Sequence, residues 1–333
     1  MKDIFDVCQL GNLKLNSRIV RSGLWESQAD KNYALTLDVY ERYEKIASSG
    51  VGLIISELIS QYPKNKYNKY SHKIFSTNFV HDFKQVTSIS HKYNVPVFAQ
   101  LAFTEFNRDI NLDIGVNDLT VDDIRKIQMD LLASCKKIQY AGFDGVQLCL
   151  NNNFFLAKMI NPYFNERDDD FGGDTFGRMR IILEVLKVLK NNLNLHINMK
   201  VNAYDERKGG IDINESIQMC KLLEENDVDS IQISKPLSPL YFTKNKNNEL
   251  VDYYSKLKEK ISVPVIVGGG FSNKNDINNT LNEFDVDFIS MYRPFVAEND
   301  FLNGWKNNKT SESRCKKCNN CYRQKHSTCT FFN

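Results

Sequence analysis

Eight short β-branched runs alternate with amphipathic helical stretches along this chain, and the alternation constrains its fold more than any other feature. A repeated strand–helix unit is typical of a parallel sheet covered by helices, and eight units predict a closed (β/α)8 TIM barrel. The predicted strands cover residues 19–22, 51–56, 95–100, 145–150, 196–201, 230–234, 263–268 and 288–291.

Two helices, one hairpin and the domain limits follow from the same pattern. Residues 120–140 are predicted to form a helix with Thr120 as N-cap, and residues 212–226 a second one. The alternating segment 5–15 is predicted to form a hairpin that plugs the bottom of the barrel. Since no linker rich in Pro, Gly or Ser interrupts residues 1–305, we expect one barrel domain, 1–305, followed by a short Cys-rich tail, 306–333.

The size and charge of the chain narrow the class of protein. Its 333 residues suffice for one barrel-sized domain, and it contains no run of eighteen apolar residues. The start lacks an apolar signal region, and the net charge of +2 is spread without a basic face. We therefore expect a cytoplasmic enzyme for a small-molecule substrate, without nucleic-acid or membrane partners. A homo-oligomer or a redox partner protein is left open.

In such a barrel, function lies at the carboxyl ends of the strands. The seventh run ends in three glycines, 268–270, whose backbone N–H groups can approach a phosphate. The eighth run is followed by Arg293, which adds a guanidinium at the same end. These features predict a phosphate-binding cradle. The alternative is a tight turn beside an ordinary surface arginine.

Two more polar residues are predicted at this face. Gln100 ends the third run, and Lys200 stands in the otherwise apolar fifth run, where an unpaired ammonium in the core would be costly. A lysine paired with a core carboxylate is the alternative. An amide, a cation and a phosphate cradle around one barrel mouth predict FMN, with Gln100 along the pyrimidine edge and Lys200 stabilising the negative charge of the reduced ring. A sugar phosphate would need the cradle but not the amide.

The residues that we assign to cofactor binding share a position at or just after a strand end. They are Ser22, Gly23, Leu24, Glu57, Gln100, Lys200, Ser234, Gly268, Gly269, Gly270, Met291, Tyr292 and Arg293. Lys235 follows the sixth strand in the same way.

The chain resembles the Old Yellow Enzyme family of NADH:flavin oxidoreductases over most of residues 4–305. The shared segments are 18–22, 52–57, 100–101, 141–146, 161–178 and 267–294. The most specific is 161–178, which contains Asn-x-Arg-x-Asp-x-aromatic-Gly-Gly followed by Arg178. The resemblance implies an FMN-binding barrel that takes hydride from NAD(P)H and passes it to an activated alkene or a similar acceptor.

The chain departs from this family where the substrate is anchored. The resemblance implies His, then His or Asn, then Tyr, at positions that here hold Cys149, Asn152 and Phe154. Asn152 can still polarise a carbonyl, but Phe154 cannot supply a proton, a step that typically contributes about 10²–10⁴ in rate. Trp25 stands where many members have a smaller residue and is expected to narrow the pocket. We assign Asn152, Cys149, Lys200 and Trp25 to the catalytic site, with a buried hydrophobe as the alternative for Cys149.

The tail carries a separate signal, four cysteines within fifteen residues. They are Cys315, Cys318, Cys321 and Cys329. In a chain without a signal peptide this spacing favours metal over disulfides, and thiolates suit a [4Fe–4S] cluster or zinc. Thiols without metal are the alternative, and His326 is a candidate substitute ligand. Larger members of the family, similar to dienoyl-CoA reductase and trimethylamine dehydrogenase, hold a [4Fe–4S] cluster on a longer-spaced motif.

Three hypotheses follow for function. The first is an FMN-dependent oxidoreductase that uses NAD(P)H and an unidentified acceptor. The second is an electron-transfer flavoprotein subunit that uses a tail iron–sulfur cluster. The third is a flavin-binding protein that has lost its ene-reductase activity.

Overall fold

The strands of the protein close into a parallel barrel. The computed structural model describes residues 1–61, 72–103, 114–234, 248–322 and 327–332. Its strands are β1 Cys8–Leu10, β2 Leu13–Leu15, β3 Ile19–Arg21, β4 Leu53–Ser60, β5 His72–Lys73, β6 Val97–Ala102, β7 Gly145–Leu150, β8 His196–Asn202, β9 Ser230–Ser234, β10 Val265–Gly268 and β11 Phe288–Met291. From β3 the parallel pairing runs through β4, β6, β7, β8, β9 and β10 to β11, which pairs back to β3. The predicted (β/α)8 barrel is confirmed.

Helices lie between successive barrel strands and after the last. They are α1 Leu37–Ser48, α2 Phe79–His91, α3 Val121–Tyr140, α4 Phe155–Ile160, α5 Thr175–Asn192, α6 Ile213–Glu225, α7 Asn248–Lys258, α8 Lys274–Glu283, α9 Arg293–Ala297 and α10 Leu302–Lys306. The predicted helix 120–140 is confirmed as α3, where Thr120 and Asp123 form a reciprocal capping box. The helix predicted over 212–226 is confirmed as α6, with Asp212 as N-cap.

Proline moves the start of two strands. The strands predicted from residues 95 and 263 begin two residues later, at Val97 and Val265. Pro96 and Pro264 have no N–H to donate, so the ladder starts after them, although their carbonyl oxygens still accept hydrogen bonds from neighbouring strands. The strand predicted over 51–56 is longer than expected because β4 continues past a register shift between Ile55 and Leu58.

The predicted N-terminal hairpin is present as β1 and β2, which pair antiparallel. Leu10 and Leu15 pack inside the barrel against Val20 and Phe98. A Cβ at Gly11 would stand 3.2 Å from the His196 ring, at the start of β8. The hairpin therefore closes the amino-terminal end of the barrel and leaves the carboxyl ends of the strands as the mouth.

The chain after α10 remains in contact with the barrel. Residues 311–313 pair with residues 272–274 ahead of α8. The domain limit that we predicted at residue 305 stays a prediction. Within the described ranges, no helix is both long and apolar enough to cross a membrane.

Candidate active site

Two side chains of the predicted site, Gln100 and Lys200, meet at the carbonyl oxygen of Gly23, in the loop after β3. The carbonyl oxygen of Gly23 accepts hydrogen bonds from Gln100 Nε2 at 3.3 Å and from Lys200 Nζ at 3.4 Å. A Cβ at position 23 would stand 2.3 Å from the carbonyl oxygen of Ser56 and 2.8 Å from Gln100 Oε1, so a larger residue does not fit. Two side chains from separate strands are thus neighbours in space.

The amide of Gln100 is held through its nitrogen. Nε2 also donates to Gln147 Oε1 at 2.9 Å, so both of its hydrogens are used. Gln100 is 3% exposed, and its Oε1 is buried without a hydrogen-bond partner among the described residues. An unpaired buried acceptor costs about 1–3 kcal/mol. This oxygen is therefore a point where a ligand can supply a missing donor.

Lys200 is a buried cation in the barrel mouth. Its side chain is enclosed, with 6% of the residue exposed, and among the described residues its ammonium group donates to the carbonyl oxygen of Gly23. Burial is the main cause that lowers the pKa of its ammonium group; the charge of Arg21 also lowers it, and Cys149 opposes the shift. Across the described ranges the structure gives Lys200 no carboxylate partner, so the alternative of a core ion pair has no support.

Sequence reasoning missed a belt of buried amides beside Gln100. The amide belt consists of Gln100, Gln147, Asn198 and Gln232. Gln147 Nε2 donates to Asn198 Oδ1 at 2.7 Å and to Gln232 Oε1 at 2.6 Å. Gln147, Asn198 and Gln232 are 0%, 0% and 1% exposed. Each stands between two apolar residues of a strand, and this alternation is the signal that could have placed them inside the barrel.

The glycine turn after β10 lies where the phosphate cradle was predicted. Gly268 is buried, and a Cβ there would stand 2.9 Å from the carbonyl oxygen of Ile233. Gly269 and Gly270 have φ values of 106° and 83°, which favour glycine. The N–H of Gly269 donates to the carbonyl oxygen of Ser290 at 3.3 Å. We predicted that this N–H is free to approach a phosphate, but in the structure it already has a partner.

Arg293 begins α9 and is held by the tail. Its Nη1 donates to Asn319 Oδ1 at 2.7 Å. The hydroxyl of the buried Tyr292 makes a short hydrogen bond with Ser327, whose N–H donates to the carbonyl oxygen of Glu26 at 2.9 Å. The tail therefore lies against the loop after β3 and against the start of α9.

Four further predicted cofactor residues contribute to this end of the barrel. Ser22 donates its N–H to the carbonyl oxygen of the buried Met291 at 2.8 Å, and its hydroxyl accepts from Gln232 at 3.1 Å. The carbonyl oxygen of Leu24 accepts from an N–H of β4 at 3.0 Å. The hydroxyl of Ser234 donates to a carbonyl oxygen of β8 at 3.2 Å.

The structure does not bring Glu57 to this group. Its carboxylate pairs with His72 of β5. Its backbone N–H donates to the hydroxyl of Tyr43, on α1, at 3.3 Å. The register shift in β4 places Leu58, rather than Glu57, in a cluster with Cys149.

Cys149 is packed as a small hydrophobe. It is buried with Leu58 and Ala102, and Phe154 packs against the same cluster. Burial raises the pKa of its thiol to about 12, with Lys200 acting in the opposite direction. This environment supports the alternative of a buried hydrophobe over a reactive thiol.

Asn152 and Trp25 lie near the same strand end. Asn152 has a φ of 58°, in the left-handed region, and its Oδ1 is buried without a hydrogen-bond partner in the part of the chain that is described. Trp25 meets the ring of Phe154 edge to face, with ring centroids 6.5 Å apart. The two aromatic rings form one apolar surface between the loops after β3 and β7.

The four tail cysteines are free thiols. The pKa of Cys321 is raised to about 11, chiefly by burial and also by Cys315 and Cys318, while Arg293 opposes the shift. Among the described residues, no group of three or more His, Cys, Asp or Glu side chains is arranged so that it could hold a metal. Metal binding by the four tail cysteines therefore stays a prediction. His326 and Lys235 lie outside the described residues.

The sequence matches a known family over most of the barrel. The model of the NADH:flavin oxidoreductase / NADH oxidase family matches residues 102–312. An NADH oxidase from Thermoanaerobacter brockii is 23% identical over 95% of this chain. The chain spans 53% of that relative, about half its length.

Two solved structures share the fold. A 2-naphthoyl-CoA reductase has a TM-score of 0.84 at 16% identity, over 95% of this chain and 54% of its own. An old yellow enzyme homologue from Zymomonas mobilis has a TM-score of 0.76 at 20% identity, over 93% of this chain and 94% of its own. At these identities the likeness establishes the barrel architecture.

Proposed function

We propose that this chain, which belongs to the NADH:flavin oxidoreductase / NADH oxidase family, is an FMN-dependent enzyme that takes hydride from NAD(P)H and passes it to an organic acceptor. The family that the sequence resembles is confirmed. The activity is a proposal, since the chain spans about half of the NADH oxidase that it matches.

The unpaired oxygen of Gln100 carries this proposal. It is a buried acceptor in a barrel mouth that also holds a buried cation, Lys200. A flavin ring presents an N–H between two carbonyl groups on its pyrimidine edge, which suits one acceptor and one nearby cation. A sugar phosphate alone leaves this oxygen unpaired.

The phosphate end of FMN suits the opposite part of the mouth. The turn at Gly268 excludes a side chain, and Arg293 is a cation at the start of α9. Asn319 supplies the acceptor for Arg293 in this structure, and a phosphate is a stronger acceptor for a guanidinium than an amide oxygen. We assign the terminal phosphate to these groups.

The chain's own residues then have distinct tasks. Lys200 holds a positive charge next to the ring site and favours a ligand that gains negative charge. FMN, when bound, supplies a ring that accepts hydride and donates it. Asn152 offers an amide that can polarise a carbonyl of the acceptor. Cys149 and Phe154 supply no proton readily, so the proton that completes alkene reduction comes from water or from another group.

The acceptor that we favour is an activated alkene of limited size. Trp25 and Phe154 form an apolar surface beside Asn152, which suits a flat, partly apolar molecule with one carbonyl. Without a proton donor at position 154, turnover with simple enones is expected to be slow. The loss of ene-reductase activity remains the alternative, and steady-state assays over a panel of enones, quinones and nitro compounds distinguish the two.

The test of cofactor binding is the visible spectrum of the purified protein, followed by chromatography of the released flavin. FMN, and not FAD, should be found. Gln100→Leu should bind FMN at least about tenfold more weakly, because it removes the free acceptor. Gln128→Leu, on the outer surface of α3, is the matched control and should leave binding unchanged. Colourless protein that takes up no added FMN would refute the proposal.

One observation favours electron transfer through the tail as a second candidate. The tail touches the proposed phosphate site through Asn319 and Arg293. Because the described residues form no metal-binding group, the proposed mechanism does not depend on a cluster. Iron and zinc analysis of anaerobically purified protein decides between cluster, zinc and free thiols. Size-exclusion chromatography tests for an oligomer.

A further inference from the structure

We infer that Gln147 is a positioning residue that fixes the direction of the Gln100 amide, so that the barrel mouth offers a hydrogen-bond acceptor and no donor at this point. The inference rests on the proposed function only for the identity of the ligand. Among the described residues, the side-chain hydrogen bonds of Gln147 go to the other members of the amide belt, and we assign it no contact with the cofactor.

An isolated glutamine amide can turn by 180° and exchange its oxygen and nitrogen. Gln100 has two acceptors for its nitrogen, Gly23 O at 3.3 Å and Gln147 Oε1 at 2.9 Å. The turned amide would place an oxygen against two oxygens. Gln147 supplies the shorter of the two contacts that fix which end of Gln100 remains for a ligand, and it does so only if Gln147 itself cannot turn.

The amide belt holds Gln147 in place. Its nitrogen donates to Asn198 Oδ1 and Gln232 Oε1 at 2.7 and 2.6 Å. Asn198 in turn donates to Ser230 Oγ at 2.7 Å, and Gln232 donates to the hydroxyl of Ser290 at 3.0 Å. The side-chain N–H groups of Gln147, Asn198 and Gln232 thus donate away from Gln100, and all four side chains of the belt are nearly fully buried.

The register of the strands explains how one residue reaches this position. Gln100, Gln147 and Asn198 are Cα partners across β6, β7 and β8, so their side chains lie at one level of the barrel. Gln232 is the Cα partner of Lys200, one side-chain level closer to the mouth. Gln147 bonds to both levels, and it is therefore the residue whose removal uncouples Gln100 from the rest of the belt.

The direction of the Gln100 amide determines which ligand group can bind beside it. The group facing Gln100 must be an N–H or O–H donor, because Oε1 is the atom that remains. On the oxidised flavin ring the pyrimidine N3–H is such a group. A bound flavin should therefore have a hydrogen-bonded N3–H that exchanges slowly with water.

The experiment is NMR of ¹⁵N-labelled FMN bound to the whole 333-residue chain. Wild type should show a slowly exchanging N3–H resonance. Gln147→Leu should show exchange at least about tenfold faster, because only the longer contact with the Gly23 carbonyl oxygen then opposes the turning of Gln100. Gln147→Glu should retain it, since a carboxylate still accepts from Gln100 Nε2 and the amides of Asn198 and Gln232 can turn to donate. Met199→Ala, a buried apolar change next to Asn198, controls for general destabilisation and should retain the signal.

The outcomes separate this inference from the proposed function. Failure of wild type to bind FMN would refute the proposed function. Bound FMN with the same N3–H exchange in wild type and Gln147→Leu would overturn the role of Gln147 alone. Gln147→Met, of similar length and with only a weak sulfur acceptor, replaces the leucine variant if that variant does not fold.

Discussion

Replacing Lys200 with methionine should move two properties of the protein in opposite directions. Lys200 is buried, and the structure gives it a carbonyl oxygen as its hydrogen-bond partner. Methionine fills similar space without a charge. The protein without FMN should therefore become more stable, because burying an ammonium that has no carboxylate partner among the described residues opposes folding.

The flavin potential should fall in the same variant. Two unit charges at 4 Å interact by about 4 kcal/mol at an effective dielectric constant of 20. We take about 2–4 kcal/mol for the lost attraction between Lys200 and the reduced ring. Since about 30 mV corresponds to 1.4 kcal/mol for a two-electron couple, the midpoint potential should drop by about 40–90 mV. Dye-coupled potentiometry measures this shift. Lys126→Met, which removes an exposed lysine of α3, is the control.

The pH dependence has a defined sign. Burial lowers the pKa of Lys200 below its ordinary value of 10.5. Between the lowered pKa and 10.5 the unfolded chain binds more protons at this site than the folded chain, so the wild-type stability rises with pH there. Lys200→Met should lack this rise, and the difference in potential should shrink over the same range. An unchanged potential in a flavin-loaded variant, or a less stable apoprotein, would refute the assigned role.

Three further predictions address other parts of the molecule. Arg293→Ala should weaken FMN binding about 10–100-fold in a fluorescence titration while leaving riboflavin, which has no phosphate, unaffected; an equal loss for both ligands would contradict a phosphate contact. Cys149→His with Phe154→Tyr should raise the oxidative half-reaction with cyclohexenone, up to about 10²-fold, in stopped-flow experiments, and an unchanged rate would refute the idea that missing donors limit this step. Leu10→Ala should cost about 2–5 kcal/mol in urea unfolding without changing FMN affinity, because the hairpin closes the other end of the barrel; a matching loss of affinity would show that the two ends are coupled.

Site residues could be predicted from the sequence where the carboxyl end of their strand could be placed. Gln100 and Lys200 are polar residues in otherwise apolar runs, which predicts that they line the polar mouth, and both reach Gly23. Glu57 could not be placed this way, because a register shift in β4 reverses the alternation between Ile55 and Leu58. Hydrophobic pattern does not encode such a shift, since all eight residues of β4 are buried.

The hydrogen bonds of the amide belt are a second feature that could not be predicted from the sequence. Gln147 and Gln232 are polar residues in apolar strands, and sequence alone marks them as buried exceptions. Their hydrogen bonds depend on the relative register of β7, β8 and β9, which is set by packing around the whole barrel. The same holds for Asn319, whose bond to Arg293 joins residues that are 26 positions apart.

The sequence by itself determined the barrel, the closing hairpin and the end of the barrel at which function lies, because strand and helix periodicity and proline and glycine chemistry are local properties of the chain. The tertiary structure alone decided which atoms remain unpaired. That Gln100 offers its oxygen, and that Lys200 has no carboxylate partner in the described ranges, follow from contacts between strands far apart in sequence. A buried polar atom has a definite direction only when all of its neighbours are in place, and for this reason the chemistry of the mouth required the folded structure.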